Sequence, residues 1–84
     1  MLRFEYDEEV NALYIYTRDI PDGAVARQIE LQEGVYLDAD AEGRTFGMEF
    51  LDIANFLHWL ARNDGSVAMP QSIAEAEARG LVHA

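Results

Sequence analysis

The sequence contains no cysteine and no lysine. Without thiols there is no disulfide, no thiolate metal site and no cysteine nucleophile, and the chain is compatible with a reducing, cytoplasmic setting. Basic charge is scarce as well: six arginines stand against sixteen acids, for a net charge of −10. A field of that sign repels phosphate backbones, which argues against nucleic-acid binding, while a cation or a basic protein partner would gain from it. Solubility is the plainer use of the same charge. Long apolar runs are also missing. No stretch nears the ~20 residues of a membrane span, and from Leu2 onward charged and apolar side chains alternate, unlike a signal peptide. The expectation is a cytoplasmic protein with no membrane partner.

What is present is a compositionally ordinary globular chain of 84 residues, half of them apolar. At this length folding buries roughly 60 to 65 % of the unfolded surface, enough for one core but not for a large enclosed cleft. A single domain, 1–84, is expected, with a β part over 1–51 and a helical part over 52–84.

Leu2, Phe4 and Tyr6 alternate with Arg3, Glu5 and Asp7, the period of a half-buried strand. Ala12 to Thr17 repeats the pattern, with Leu13 and Ile15 on one face and Tyr14 and Tyr16 on the other, so the two segments read as a hairpin. Ile20-Pro21-Asp22-Gly23 ends the second strand, because proline presets φ and glycine accepts φ > 0. A third strand runs from Val25 to Leu31, with Arg27 a misfit on its apolar face. Glu33-Gly34 turns it into a fourth, in which Val35 and Leu37 alternate with Tyr36 and Asp38. Phe46, Met48 and Phe50 supply the apolar face of a fifth. Beyond Asp52 the spacing becomes helical, through Ile53, Phe56, Leu57 and Leu60, with Asp52 as N-cap and Gly65 as stop. Ser72-Ile73-Ala74-Glu75 fits a capping box and opens a second helix ending near Gly80, too short to hold without docking on the sheet, the first helix or another subunit. The fold class is α+β: an antiparallel β-meander of about five strands followed by two short C-terminal helices.

Asp38 to Glu49 has acids at positions 1, 3, 5 and 12 and glycine at 6, close to the spacing of an EF-hand loop. That loop needs a helix on each side, and here β-type sequence flanks it. If the segment is a hairpin about Ala41-Glu42-Gly43, Glu49 falls opposite Gly34 or Val35, and roughly 10 to 13 Å separates it from Asp38. Asp40 then opens a type I turn and Gly43 closes it in the left-handed conformation. What remains of the cation reading is weak divalent-ion binding by Asp38, Asp40 and Glu42 at the hairpin tip. The count also creates a conflict of register, because it sets Leu37 opposite Gly47 and turns Phe46 and Met48 away from it. Either a second irregularity at Gly47 restores the face or both faces are partly buried.

Tyr6 to Ile15, and Val35-Tyr36-Leu37-Asp38 through Asp40, Gly43-Arg44, Gly47 and Glu49 to Leu51-Asp52, resemble a family of small prokaryotic proteins, domain-of-unknown-function family 2283. The likeness covers residues 1–54. Val10 and Asn11 depart from the alanine and aspartate expected there, which weakens any role for a carboxylate at that turn. The family carries no established activity, so the resemblance implies no catalytic residue. Small proteins of this kind can be encoded beside toxin-like partners, and an antitoxin-like role is the analogy it implies.

Three groups of residues suggest sites. Tyr14, Tyr16 and Tyr36 gather with Glu5, Glu30 and Asp38 on the second sheet face, a surface for a cationic or sugar-like ligand, or simply cross-strand tyrosines on a solvated face. Along the first helix a second stripe includes Trp59, and with Phe56 and Leu60 it suggests the interface of a homodimer, which would also cover an exposed strand edge. His58 and His83 are the sole histidines and make a poor zinc pair. Ser66 and Ser72 lie in no nucleophile elbow, and among so many acids a pair of carboxylates carries no information. The expectation is a protein without cofactor and without catalysis that works by association with itself and with a basic protein, or alternatively a weak divalent-cation or small-ligand binder.

Overall fold

A computed structural model describes residues 2–82, so His83, and with it the pairing with His58, lies outside the described residues. The alternating segments form β1 (Arg3–Asp7), β2 (Ala12–Tyr16), β3 (Arg27–Gln32), β4 (Val35–Ala39) and β5 (Thr45–Phe50). The helical spacing forms α1 (Ile53–Arg62) and α2 (Ile73–Ala78). The chain is α+β, with all five strands antiparallel in one sheet of order β1-β2-β5-β4-β3. Strands β3, β4 and β5 form a continuous meander, and the β1–β2 hairpin joins it by pairing β2 with β5. Residues 17–26 carry the chain from β2 to the far edge, which leaves β5 in the centre and β1 and β3 at the two edges.

The register conflict is resolved by one extra residue. Asp40 donates its N–H to the Arg44 carbonyl (2.9 Å) and Gly43 donates to Asp40 (3.0 Å), closing the expected turn, in which Gly43 takes φ 82°. Ala39 then pairs with Thr45, but Asp38 pairs with Gly47, so Phe46 is bulged out of the ladder. A bulge re-aims every later side chain of its strand. Leu37 consequently meets Met48, and Val35 meets Phe50, on the same face as Ile15 and Leu13. The irregularity thus falls one residue before Gly47. Phe46 itself is buried outside the main core, with the Arg18 guanidinium 4.0 Å above its ring.

The core is the apolar sheet face capped by Trp59 of α1 and by Ile73 and Ala76 of α2. Asp52 caps α1 by accepting from the Asn55 N–H (2.8 Å), and Ser72 caps α2 by accepting from Glu75 (3.0 Å). Of the three surfaces open to α2, it uses its own sheet. Ile73 donates to the Gly43 carbonyl (2.8 Å), Thr45 donates to Gln71 (3.0 Å), and the Thr45 hydroxyl donates to Pro70 (2.7 Å). These bonds tie the helix to the β4–β5 hairpin tip, while Ile73 and Ala76 supply the apolar contact that six residues of helix need. Helix α1 lies mainly over β2, β4 and β5. Strand β1 stays exposed along its whole length. Among the described residues no helix is long and apolar enough to cross a membrane.

Candidate functional site: the tyrosine and acid face

The sheet face away from the helices is built in two rows. In the first, Glu5, Tyr14, Glu49, Tyr36 and Glu30 follow one another across β1, β2, β5, β4 and β3, so acid alternates with tyrosine over the full width. The second row reads Arg3, Tyr16, Gly47, Asp38 and Gln28. Its centre has no side chain. That gap lets the Tyr14 ring lean across the sheet, and its hydroxyl donates to Asp38 Oδ2 at 2.7 Å, while Gln28 donates to Oδ1 at 2.9 Å. A Cβ on Gly47 would stand 2.4 Å from the Ile15 carbonyl oxygen and 2.6 Å from Tyr14 Cε1, so no larger residue fits.

Burial beside an acid fixes the protonation of Tyr14. Desolvation, with the hydrogen bond to Asp38 and that carboxylate's charge, raises the phenol far above its ordinary value near 10, and it stays a donor. The Tyr36 hydroxyl is raised by the hydrogen bond to the Glu30 carboxylate. Glu49 is raised by burial first and by the charge of Asp38 second. Tyr16 packs against Tyr14 with ring centroids 4.4 Å apart and planes tilted by 46°, and it carries the Arg3 guanidinium 4.3 Å from its own ring centroid. Glu5, Asp7, Tyr14, Tyr16 and Glu49 line an open groove of about 290 Å³ over β1, β2 and β5.

All of Tyr14, Tyr16, Tyr36 and Glu30 thus lie on one face, as the alternation implied. Gln28 joins them, as its alternation with Glu30 along the third strand implies. Glu49 and Gly47 complete the face because the bulge at Phe46 moves Glu49 from the neighbourhood of Val35 to a place between Tyr14 and Tyr36. It also brings Glu49 diagonal to Asp38, roughly 7 to 8 Å away rather than the longer separation that an unbulged count implies.

Asp38, Asp40 and Glu42 are not brought together. Asp38 is 7 % exposed and engaged by Tyr14 and Gln28. Asp40 is a clasp for the hairpin. It accepts from the Glu42 N–H (3.0 Å), the Arg44 N–H (2.9 Å) and Arg18 Nη2 (2.7 Å). The Arg44 amide foremost, with the Arg18 guanidinium and the Glu42 amide, holds its carboxyl below the usual range against the opposing effect of burial. Glu42 is exposed. Among the described residues no three His, Cys, Asp or Glu side chains converge on a point where an ion could sit.

Of the residues expected at an interface, Trp59 is inside, and Phe56 and Leu60 are half-buried. Trp59 is 2 % exposed, and its indole N–H donates to the Val67 carbonyl. Phe56 packs edge-on against Phe50 at 5.1 Å, and Leu60 is half-buried. Trp59 is therefore spent on the core of its own chain. The exposed apolar side chains are instead Leu2, Phe4 and Tyr6 at the β1 edge, with Val10, Val25, Leu51 and Leu57 elsewhere.

No curated protein and no solved structure is detectably similar to the chain. A family model does match, over residues 3–53, which is the entire sheet and the first residue of α1. Both rows of the tyrosine and acid face fall inside that match, and the chain belongs to the family described as "Protein of unknown function (DUF2283)".

Proposed function

We propose that this is a non-enzymatic, cytoplasmic association protein that binds copies of itself and holds a basic protein on its tyrosine and acid face. The observation that carries the second part is the groove over β1, β2 and β5. Its aromatic rings are flanked by Glu5, Asp7 and Glu49, with Arg3 as the one cation in the two rows. An arginine or lysine side chain entering there would meet π faces and carboxylates together. It would also relieve Glu49, whose charge the sheet desolvates. The net charge of −10 adds long-range attraction for a basic surface. Catalysis draws no such support: Asp38 is held by two donors, and Tyr14 is locked in its protonated form.

Self-association is supported by β1, an exposed edge strand that carries apolar side chains on the same face as the core.

Calorimetry with a synthetic poly-arginine peptide tests the partner reading. Binding is expected to weaken steadily as sodium chloride rises and to be lost when Glu5→Gln and Glu49→Gln are combined. Binding that ignores those substitutions would overturn it. Arginine amide and calcium serve as parallel titrants for the small-ligand and divalent-ion alternative, which requires saturable heat from one of them where the peptide gives none.

A further inference from the structure

The two edges of the sheet differ. Strand β3 is interrupted by a register shift between Glu30 and Gln32, a device that blunts an edge against further pairing. Strand β1 has none. Its five residues pair in unbroken register with β2 on one side, and its other side is an open ladder edge. On the core face of that strand Leu2, Phe4 and Tyr6 are 48, 54 and 51 % exposed, because α1 sits over the neighbouring strands instead.

We infer that β1 pairs antiparallel with β1 of a second copy about a two-fold axis at Phe4, making one ten-stranded sheet. This rests on the self-association reading above and names its geometry. The sequence of the strand is complementary to itself in that register. Phe4 faces Phe4 of the partner subunit, Leu2 faces the partner's Tyr6, and Arg3 faces the partner's Glu5, with the last two pairs made twice. Shifting the axis to Glu5 would set two carboxylates directly opposite each other, a destabilising pair. In the Phe4 register the apolar side chains of both copies lie on one side of the joint sheet, between the two helical layers, and opposite charges meet on the other. Arg3 is held by surface contacts alone. Its bond to Asp19 (3.1 Å) joins two exposed groups, and its guanidinium rests on the Tyr16 ring 4.3 Å from the centroid, so both are weak against a new carboxylate partner.

A single strand edge with its side chains offers less than a standard interface, so a dissociation constant on the order of 10 µM is expected. Sedimentation velocity across that range should show a reversible monomer to dimer shift. Each of Arg3→Glu and Glu5→Arg should weaken the dimer by roughly ten- to thirtyfold, and the double swap should restore it. The chain has no native thiol, so Phe4→Cys should give a covalent dimer on mild oxidation, and Glu5→Cys should not. A monomer at all concentrations would overturn both the self-association reading and this geometry. A dimer that cross-links through position 5, or that the double swap fails to restore, would overturn the geometry and leave self-association standing. All three positions are exposed, and circular dichroism verifies that each variant keeps its fold.

Discussion

Replacing Gly47 by alanine tests the construction of the tyrosine and acid face most directly. The new methyl would stand 2.4 Å from a backbone oxygen of β2 and 2.6 Å from the Tyr14 ring. The oxygen cannot retreat easily, because β2 and β5 are locked by Leu13 against Phe50 and Ile15 against Met48, all buried. Overpacking of this kind costs about 1–3 kcal/mol. The ring is softer and moves first, and its displacement breaks the bond from Tyr14 to Asp38, a hydrogen bond to a charged acceptor worth about 1.5–3 kcal/mol. Together the loss is about 2.5–6 kcal/mol, against a total stability for a chain of this length of roughly 4–13 kcal/mol. Urea unfolding should show a midpoint lowered by at least ~1 M. Gly43→Ala is the control: nothing lies within 3.9 Å of its added Cβ, and only the left-handed backbone at φ 82° resists, at about 1–2 kcal/mol. If Gly47→Ala is as mild as Gly43→Ala, or if Tyr14 still resists ionisation in it, the account of the face is wrong.

Three further outcomes follow from the same contacts. Because the folded pKa of Tyr14 is raised, its contribution to stability is complete below the ordinary phenol value near 10 and is lost as pH climbs through the higher folded value. Melting temperature should therefore fall above pH 10 in the wild type and fall less in Tyr14→Phe, with equal slopes refuting the assignment. Asp40 has the opposite sign: its lowered pKa contributes stability that is present above about 3.8 and lost as pH falls through the folded value. Asp40→Asn should thus be less stable than wild type at neutral pH and approach it in acid, and a pH-independent difference would argue that the clasp acts through shape alone. Trp59→Ala should cost about 3–5 kcal/mol of monomer stability by emptying the space between α1 and the sheet. A variant that kept its unfolding midpoint and lost only self-association would return Trp59 to an interface.

Much of the fold was legible because it rests on local periodicity. The alternation through Leu13, Tyr14, Ile15 and Tyr16 marked both faces of β2, and the caps Asp52 and Ser72 marked the starts of both helices. What periodicity cannot show is a residue that belongs to neither face. Phe46 looked like the first member of the apolar set with Met48 and Phe50; the register conflict pointed to an irregularity near Gly47 but could not place it, because the apolar spacing survives the bulge. The error spread from there to Glu49, whose neighbours depend on the count across the turn. The burial of Trp59 was hidden for a related reason. A tryptophan on the second stripe of a helix reads as surplus apolar surface, but residues 67–69 fold back beside it, and the Val67 carbonyl receives its indole N–H. Long-range closure of that kind leaves no mark in a helical wheel.

The position of β5 explains why two unlike faces coexist in so small a sheet. As the central strand it contributes Met48 and Phe50 to the core, and Gly47 and Glu49 to the opposite side. The bulge at Phe46 sets the phase of both sets at once, so neither face can change its register without the other. Phe46 is the one residue of β5 without a partner on β4, since Ala39 already faces Thr45 and Asp38 already faces Gly47. The turn clasp at Asp40 holds that count across the hairpin, because its bonds to the Arg44 and Glu42 amides require the present spacing. Meanwhile the family match ends where the helices begin. The stretch that the family model matches is therefore the sheet itself, whose apolar side requires a cover. Helix α1 covers β2, β5 and β4, while β1 stays exposed along its length, so the sheet's apolar side is left open at the strand whose own sequence is complementary to a second copy.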